Sequence, residues 1–301
     1  VLLVREDGKR FSRTRTDLAR VARSELGADW VLHPDGDEFW WPRGGSWQAL
    51  LASIPARYGV LRGAWRHFVP RPESDSHPLE RLTVRISPYA EQTAEEYPFH
   101  PGSKVAHRAD PTVVVGQGGH DLRGGPLLPL RGWFPFEILH FPLRSSEQGR
   151  RKYEHMAAAL AASAITIPPH VERARQAIAA GSWEELYDRR LAEGIARGTL
   201  VEDRRLRDAL RALAGVAELP PGASFPRPGD GLTRLSFPVP SPAEQAAFAH
   251  ECELLYEREA DVRLRQRVER LERRLQALER RPRLAREAFP RLRRRLWRGR
   301  R

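Results

Sequence analysis

The segment Thr16-Asp-Leu-Ala-Arg-Val-Ala-Arg-Ser-Glu-Leu-Gly27, followed almost at once by Asp29-Trp-Val-Leu-His-Pro-Asp-Gly-Asp-Glu-Phe-Trp-Trp41, constrains the fold more than any other part of the chain. Leu18, Val21, Ala22 and Leu26 recur at helical spacing, Thr16 or Asp17 supplies an N-cap, and Gly27 a left-handed stop. Trp30–Leu32 then reads as a short apolar strand. With Val1–Val4 as an earlier strand, this is a strand–helix–strand unit and predicts an α/β sheet. Ligands of such sheets collect at the carboxyl ends of strands, where Asp35, Asp37 and Glu38 fall. Strand alternation predicts Asp35 and Asp37 on one side and Glu38 on the other. Two carboxylates so placed suit a hard divalent cation, Mg²⁺ or Mn²⁺, that keeps open positions for water or phosphate oxygens. Phe39, Trp40 and Trp41 anchor the turn against a core. Asp-x-Asp also occurs in ordinary solvated turns, so the pair is a candidate rather than an assignment.

The net charge of +12 suggests a nucleic-acid partner until it is located. Residues 281–301 hold ten arginines against the single acid Glu287, which leaves +3 for the other 280 residues. The tail is basic and the bulk is nearly balanced, so no nucleic-acid partner is expected. One cysteine, Cys252, excludes an internal disulfide and a cysteine-based zinc site and fits a reducing compartment. No apolar run is long enough to span a bilayer and no signal peptide opens the sequence, so a cytoplasmic location is expected. Because Val1–Val4 already reads as a strand in mid-domain, the chain is expected to lack the N-terminal part of its first domain. Abundant arginine and alanine with few lysines fit a GC-rich bacterial genome.

Further along, Ser46 caps a helix from Trp47 to about Ile54, closed by Pro55. Val60–Val69 and Leu82–Ile86 are strand-like, with a proline-rich surface loop between them. Val105–Arg108 and Thr112–Val115 read as a strand pair leading into Gly116-Gln-Gly-Gly-His120-Asp121. Glu137-Ile-Leu-His140-Phe-Pro142 is the ordered piece of a glycine- and proline-rich stretch. From Ser146 the character turns helical: Ser146–Ala162, Trp183–Glu193, Val201–Ala214 and Pro242–Arg280. Leu264, Val268, Leu271, Leu275 and Leu278 form a coiled-coil seam of barely two heptads, suited to self-association or to folding back on the domain. In the tail, Leu284, Phe289, Leu292, Leu296 and Trp297 alternate with arginines. That pattern suits either an anionic membrane surface, hence the inner face of the cell membrane, or a solvated tail.

Several motifs in order now carry a resemblance: Gly-Ala-Asp-Trp30, Asp35-Gly-Asp37-Glu38-Phe-Trp, Glu80-Arg81-Leu, Lys104-Val-Ala-His-Arg108, Gly-Gly-His120, and Leu-His140-Phe-Pro-Leu-Arg144-Ser145-x-Glu147-Gln148 before a lysine-bearing helix. Residues 1 to about 160 resemble the later part of a GT-A-fold glycosyltransferase of the bacterial family-2 type. Gly36 departs from the alanine usual in that family. The resemblance implies a GT-A-like, Rossmann-related mixed sheet over 1–160; the helical patterns and arginine run read above predict a helical extension over 161–250 and a coiled-coil helix with basic tail over 251–301. It also implies transfer of a sugar, with inversion, from a nucleotide-diphosphate donor to a growing surface polysaccharide or other glycan, or to a lipid-linked acceptor.

Such chemistry must neutralise a diphosphate leaving group while a hydroxyl attacks the anomeric carbon. Within the resemblance, Asp37 is the direct ligand of Mn²⁺ or Mg²⁺, Asp35 reaches the ion through water or binds the ribose, and His120 or His140 supplies a third ligand. Lys104, Arg144 and Ser145 are candidates for phosphate oxygens. Asp121, Glu80 and Glu137 are candidates for the base that takes the acceptor's proton. Trp40, Trp41, Trp65 and Trp133 are candidate platforms for sugar rings. Gly116–Gly119 lacks the following helix of a phosphate loop, and no Gly-x-Ser-x-Gly or P-loop pattern is present. The other histidines, among them 33, 67, 77, 100 and 107, show no metal-ligand spacing. Two alternatives stand beside the transferase: a nucleotidyltransferase using the same acidic pair, and a non-catalytic interaction protein acting through coil and tail.

Overall fold

The computed structural model describes residues 11–71, 74–87, 103–162, 169–183, 185, 200–221, 237 and 241–246, with further single positions between 248 and 275. The chain divides into two compact units, Val1–Phe248 and Ala249–Arg301.

In the first unit, helix α1 (Phe11–Ser24) leads through Gly27, at φ 61°, into β1 (Trp30–Leu32). The turn bearing the aspartates opens β2 (Glu38–Pro42), and α2 (Trp47–Ser53) follows, capped by Ser46, whose Oγ accepts from the Ala49 amide. Next come β3 (Tyr58–His67), the single-turn α3 (Pro78–Arg81), β4 (Val84–Ile86) and β5 (Ser103–Arg108). The short β6 (Val114–Val115), β7 (Leu122–Arg123) and β8 (Leu128–Pro129) lead to β9 (Phe136–His140). Helices α4 (Ser146–Ala162) and α5 (Pro169–Ala179), strand β10 (Leu200–Glu202) and helix α6 (Arg205–Ala214) complete the described elements.

Five strands pair in the order β1-β5-β3-β9-β2, with β8 added alongside β3. β3 runs parallel to β9, while β1–β5, β3–β5 and β2–β9 are antiparallel. β1 and β2 therefore stand at opposite ends of the order, yet only His33 to Asp37 join them. Four inter-strand steps would separate them by about 19 Å in a flat sheet. The connection cannot stretch so far, because it folds back through a bond from the Glu38 amide to the Asp35 carbonyl, 3.1 Å. The sheet must curl, and the acidic turn crosses its open end. Chain direction brings the C-terminal ends of β1, β3 and β9 to that same end, with the N-terminal ends of β2 and β5.

Register then decides which side chains share the inner face. Glu38 pairs His140, His67 pairs His140, Trp65 pairs Ile138, and Gly63 pairs both Phe136 and Lys104. With alternation along each strand, Glu38, Trp65, His67, Lys104 and His140 all line the inner face near the acidic turn. Deeper on that face lies an apolar cluster of Leu50, Ile54, Leu61, Ala106, Phe136 and Ile138, built with α2. A Cβ on Gly63 would lie 2.0 Å from the Phe136 ring, so only glycine fits there. On the outer face Trp41, Phe68, Leu139 and Phe141 pack against Leu206 and Leu210 of α6. A third cluster joins α4 and α5 to Val84, Ile86 and Leu200.

Several sequence expectations change. Thr16 does not cap α1: the helix starts at Phe11, and the Thr16 hydroxyl accepts from the Val115 amide instead, 2.9 Å. Val114–Val115 pairs with β7, not with β5, whose two edges are already taken by β1 and β3. Residues 200–202 are not helical: they pair with β4, so the C-terminal third is not all helix, and α6 starts only at Arg205. Ser146–Ala162 is α4 as expected. Val1–Val4, Leu278, the tail from 281 and nearly all of Trp183–Glu193 lie outside the described residues. The overall class is mixed α/β with a mixed sheet, as expected, but the strand order β1-β5-β3-β9-β2 does not show the GT-A or Rossmann order expected for it. In the second unit, Leu264, Val268, Leu271 and Leu275 are helical and exposed. No described helix is long and apolar enough to cross a membrane.

Between the sheet's outer face and the β4–β10 layer lies a buried charge network. Glu137 accepts from Arg66 at 2.5 Å and Arg205 at 2.6 Å, and lies 3.2 Å from Arg43. Asp203 joins Arg205 and Arg85, each at 2.7 Å. Burial alone would raise the Glu137 pKa, but the three guanidiniums hold it far below the usual carboxylate range. Glu137 therefore stays ionised and works as a structural counter-ion, not as the acceptor base considered for it from sequence. Glu137→Ala leaves buried guanidiniums facing one another and is expected to cost about 3–5 kcal/mol in chemical denaturation.

Candidate functional site

Glu38 organises the open end of the sheet. Its Oε2 accepts from the Asp35 amide at 3.1 Å and from the Trp40 indole at 3.2 Å. Its Oε1 accepts from the Trp65 indole at 3.1 Å and lies 2.8 Å from Lys104 Nζ. One carboxylate thus fixes the turn, β2, β3 and β5 to one another. The expectation that Glu38 points away from Asp35 fails, because residues 36–37 form a turn, where strand alternation does not apply. Asp35 and Glu38 converge on Lys104, while Asp37 turns elsewhere.

Lys104 Nζ meets Asp35 Oδ2 at 2.5 Å and the His33 carbonyl at 3.4 Å besides Glu38, and its side chain is 0% exposed. Asp35 is also held by Arg15, and is 42% exposed. Asp37 Oδ2 accepts from Lys152 Nζ of α4 at 2.9 Å and lies 3.6 Å from His140 Nε2. Burial pushes both aspartates upward, and their hydrogen-bonding and charged partners outweigh it: Lys104 and Arg15 for Asp35, His140 and Lys152 for Asp37. Both carboxyls end below the ordinary 3.8.

Trp65 is the hub of a histidine cluster. The His140 ring stacks on it at 5.0 Å, and His67 and His120 meet it edge-on at 5.0 and 4.8 Å. His67 and His140 are hydrogen-bonded through their Nδ1 atoms, 2.9 Å apart, one ring donating and the other accepting. His120 donates through Nδ1 to the Ser103 carbonyl, 2.9 Å. Its ring folds back over Gly118, at φ 65°, where a Cβ would lie 2.8 Å from Nε2. On the other face of β5, His107 donates through Nδ1 to its neighbour's carbonyl at 2.8 Å. Its Nε2 must then accept from His33 Nε2 at 3.0 Å.

The remaining expected residues divide. Glu80 is committed to Arg211 of α6 and to the Leu219 amide, 2.7 Å, and serves the α3–α6 contact. Asp121, 62% exposed, faces Arg62 at 3.9 Å. Ser145 caps α4: its hydroxyl accepts from the Gln148 amide, and Gln148 Oε1 reaches back to accept from the Arg144 amide, each at 3.0 Å. Arg144 is exposed, and its carbonyl accepts from Arg81 at 2.6 Å. Trp41 belongs to the outer core, whereas Trp133 is exposed. Sequence reasoning missed Arg15 and Lys152 and the His33–His107 and His67–His140 pairs. One signal was available for Lys152: the chain has only three lysines, at 9, 104 and 152, against 48 arginines.

The donor set does not fit a resident divalent cation as it stands. Asp35 and Asp37 each carry their own ammonium or guanidinium partner. Among the described residues no three His, Cys, Asp or Glu side chains are grouped to hold a metal ion. Counting Asp35, Asp37 and Glu38 against Arg15, Lys104 and Lys152, the charges at the turn close without one. What the arrangement offers is a neutral, partly exposed set of carboxylate acceptors and ammonium donors beside an aromatic wall. Comparison with protein-family models, curated proteins and solved structures finds no match to this chain.

The His33–His107 pair sets an acid limit on this end of the fold. Burial, then the neighbouring His107, Arg15 and Lys104, push His33 down from 6.5 to about 3. The unfolded chain therefore binds more protons than the folded one between those values, and stability falls as pH drops through 6.5. Denaturation midpoints should decline across that window, with the aspartates adding their own loss below 3.8. His33→Gln, which keeps a donor but cannot charge, should flatten the decline between pH 6.5 and 4.

Proposed function

We propose that the open end of the sheet binds the diphosphate of a nucleotide sugar and transfers the sugar to an acceptor hydroxyl, on a scaffold related to the GT-A fold. The observation that carries this reading is the convergence of Asp35 and Asp37 with Lys152 and Arg15 at the carboxyl ends of β1, β3 and β9. The acceptor is the hydroxyl of a glycan or of a lipid-linked sugar.

In the step itself the acceptor oxygen bonds to the anomeric carbon and the bond from that carbon to the diphosphate oxygen breaks. The electron pair leaves on the phosphate, and the acceptor's proton passes to a base. Cations fixed in advance stabilise the growing phosphate charge without reorganising at the moment of reaction. Asp35 is exposed enough to accept from a ribose or sugar hydroxyl. Trp65, held by Glu38 and packed on His140, offers its ring system to a sugar face. Of the three carboxylates considered as base, Asp121 is the one still open to solvent. Mn²⁺ or Mg²⁺ would supply further charge neutralisation, but the carboxylates present do not fit such an ion while paired as they are, and no step here depends on it.

Titration with uridine, guanosine and thymidine diphosphates, with and without Mn²⁺, tests the reading. One of them should bind, and Asp37→Ala, which releases Lys152 and distorts the turn, should weaken it by about tenfold or more. Turnover of the matching nucleotide sugar should release the nucleoside diphosphate. Release of pyrophosphate from a nucleoside triphosphate would instead mark a nucleotidyltransferase. If none of the three diphosphates binds, the transferase reading falls.

A further inference from the structure

Two of the chain's three lysines, Lys104 on β5 and Lys152 on α4, reach the acidic turn, although arginine supplies almost all of the chain's other positive charge. An ammonium has three N–H donors and no preferred plane, whereas a guanidinium presents a rigid planar fork. At Lys104 the count is closed: Asp35, Glu38 and the His33 carbonyl take all three donors, and the side chain is sealed from solvent. No ligand reaches this nitrogen without dismantling the turn, so the phosphate role expected of Lys104 from sequence passes to another residue.

At Lys152 the count is open. Its ammonium gives one donor to Asp37 Oδ2 at 2.9 Å and one to the Pro142 carbonyl at 3.1 Å. The side chain is 29% exposed, against 18% for Arg15, the other cation at the turn. We propose that Lys152 is the residue that takes hold of an anionic phosphate oxygen at this site, through its third N–H. The inference rests on the donor reading above and names the contact within it. Asp37 and Pro142 aim the ammonium. The phosphate oxygen replaces water on the remaining donor, and neither existing bond has to break. The ligand class is a nucleoside diphosphate, with Lys152 reading the phosphates and not the base.

Calorimetric titration of the full chain with the nucleoside diphosphate that binds best tests this, beside the matching nucleoside and the Lys152→Met and Lys152→Arg variants. Lys152→Met should bind the diphosphate about tenfold or more weakly, Lys152→Arg should recover part of the loss, and affinity for the nucleoside should not move. Equal diphosphate affinity in wild type and Lys152→Met overturns the assignment while leaving the donor reading intact. Parallel losses for diphosphate and nucleoside overturn it too, because they mark a purely structural role. If the wild type binds no diphosphate, both readings fall. Should Lys152→Met fail to fold, acetylation of the wild type followed by peptide mass spectrometry decides: the diphosphate should slow labelling of Lys152 where the nucleoside does not, and equal rates overturn the proposal.

Discussion

The buried pair of Glu38 and Lys104 is the constraint on which the rest of the open end depends. Neither charge can be removed from water alone without several kcal/mol of uncompensated desolvation. Each is therefore surrounded by partners: four donors on the carboxylate, three acceptors on the ammonium. Those partners come from β2, β3, β5 and the turn between β1 and β2. Satisfying two charges thus draws together strands that stand far apart in the sheet order, and it holds the short connection across the mouth of the curl. Asp35 and Asp37 remain at the rim because the interior positions are already filled.

The outer face repeats the device with different chemistry. Glu137 is as buried as Glu38, but its partners are guanidiniums from Arg66, Arg205 and Arg43. Arginine suits that place, since planar forks can bridge two carboxylates between packed layers, as Arg205 does between Glu137 and Asp203. The inner face uses lysine where one nitrogen must serve three acceptors lying in different directions. One sheet thus carries a structural charge network on one side and, on the other, a network that opens to solvent at a single edge.

Local signals were the legible ones. The Ser46 cap, the Gly27 stop and the bounds of α4 follow from residues within a turn of one another, where side-chain chemistry and backbone conformation are tightly coupled. The acidic turn at a strand end was legible for the same reason. Pairings across the chain were not. β6 was expected beside β5 because they are close in sequence, but β5 spends both edges on β1 and β3. Residues 200–202 look as helical as their neighbours until β4, more than a hundred positions earlier, supplies an edge. The histidine pairs failed to show because spacing along a chain reports ligands on one element, whereas His67 and His140 meet across two. Lys152 reaches Asp37 from 115 positions away, and no periodicity encodes that.

Charge balance at the rim decides how an anion can be received there. With three carboxylates facing three fixed cations, the turn has no net positive field to draw in a diphosphate from a distance. Recognition must therefore come at short range, from donors left over after the internal pairs are made. Lys104 has none left, and its burial converts its charge wholly into structure. Lys152 has one, beside a carboxylate and a carbonyl that orient it. A neutral rim with a single spare ammonium donor discriminates by contact geometry instead of bulk attraction.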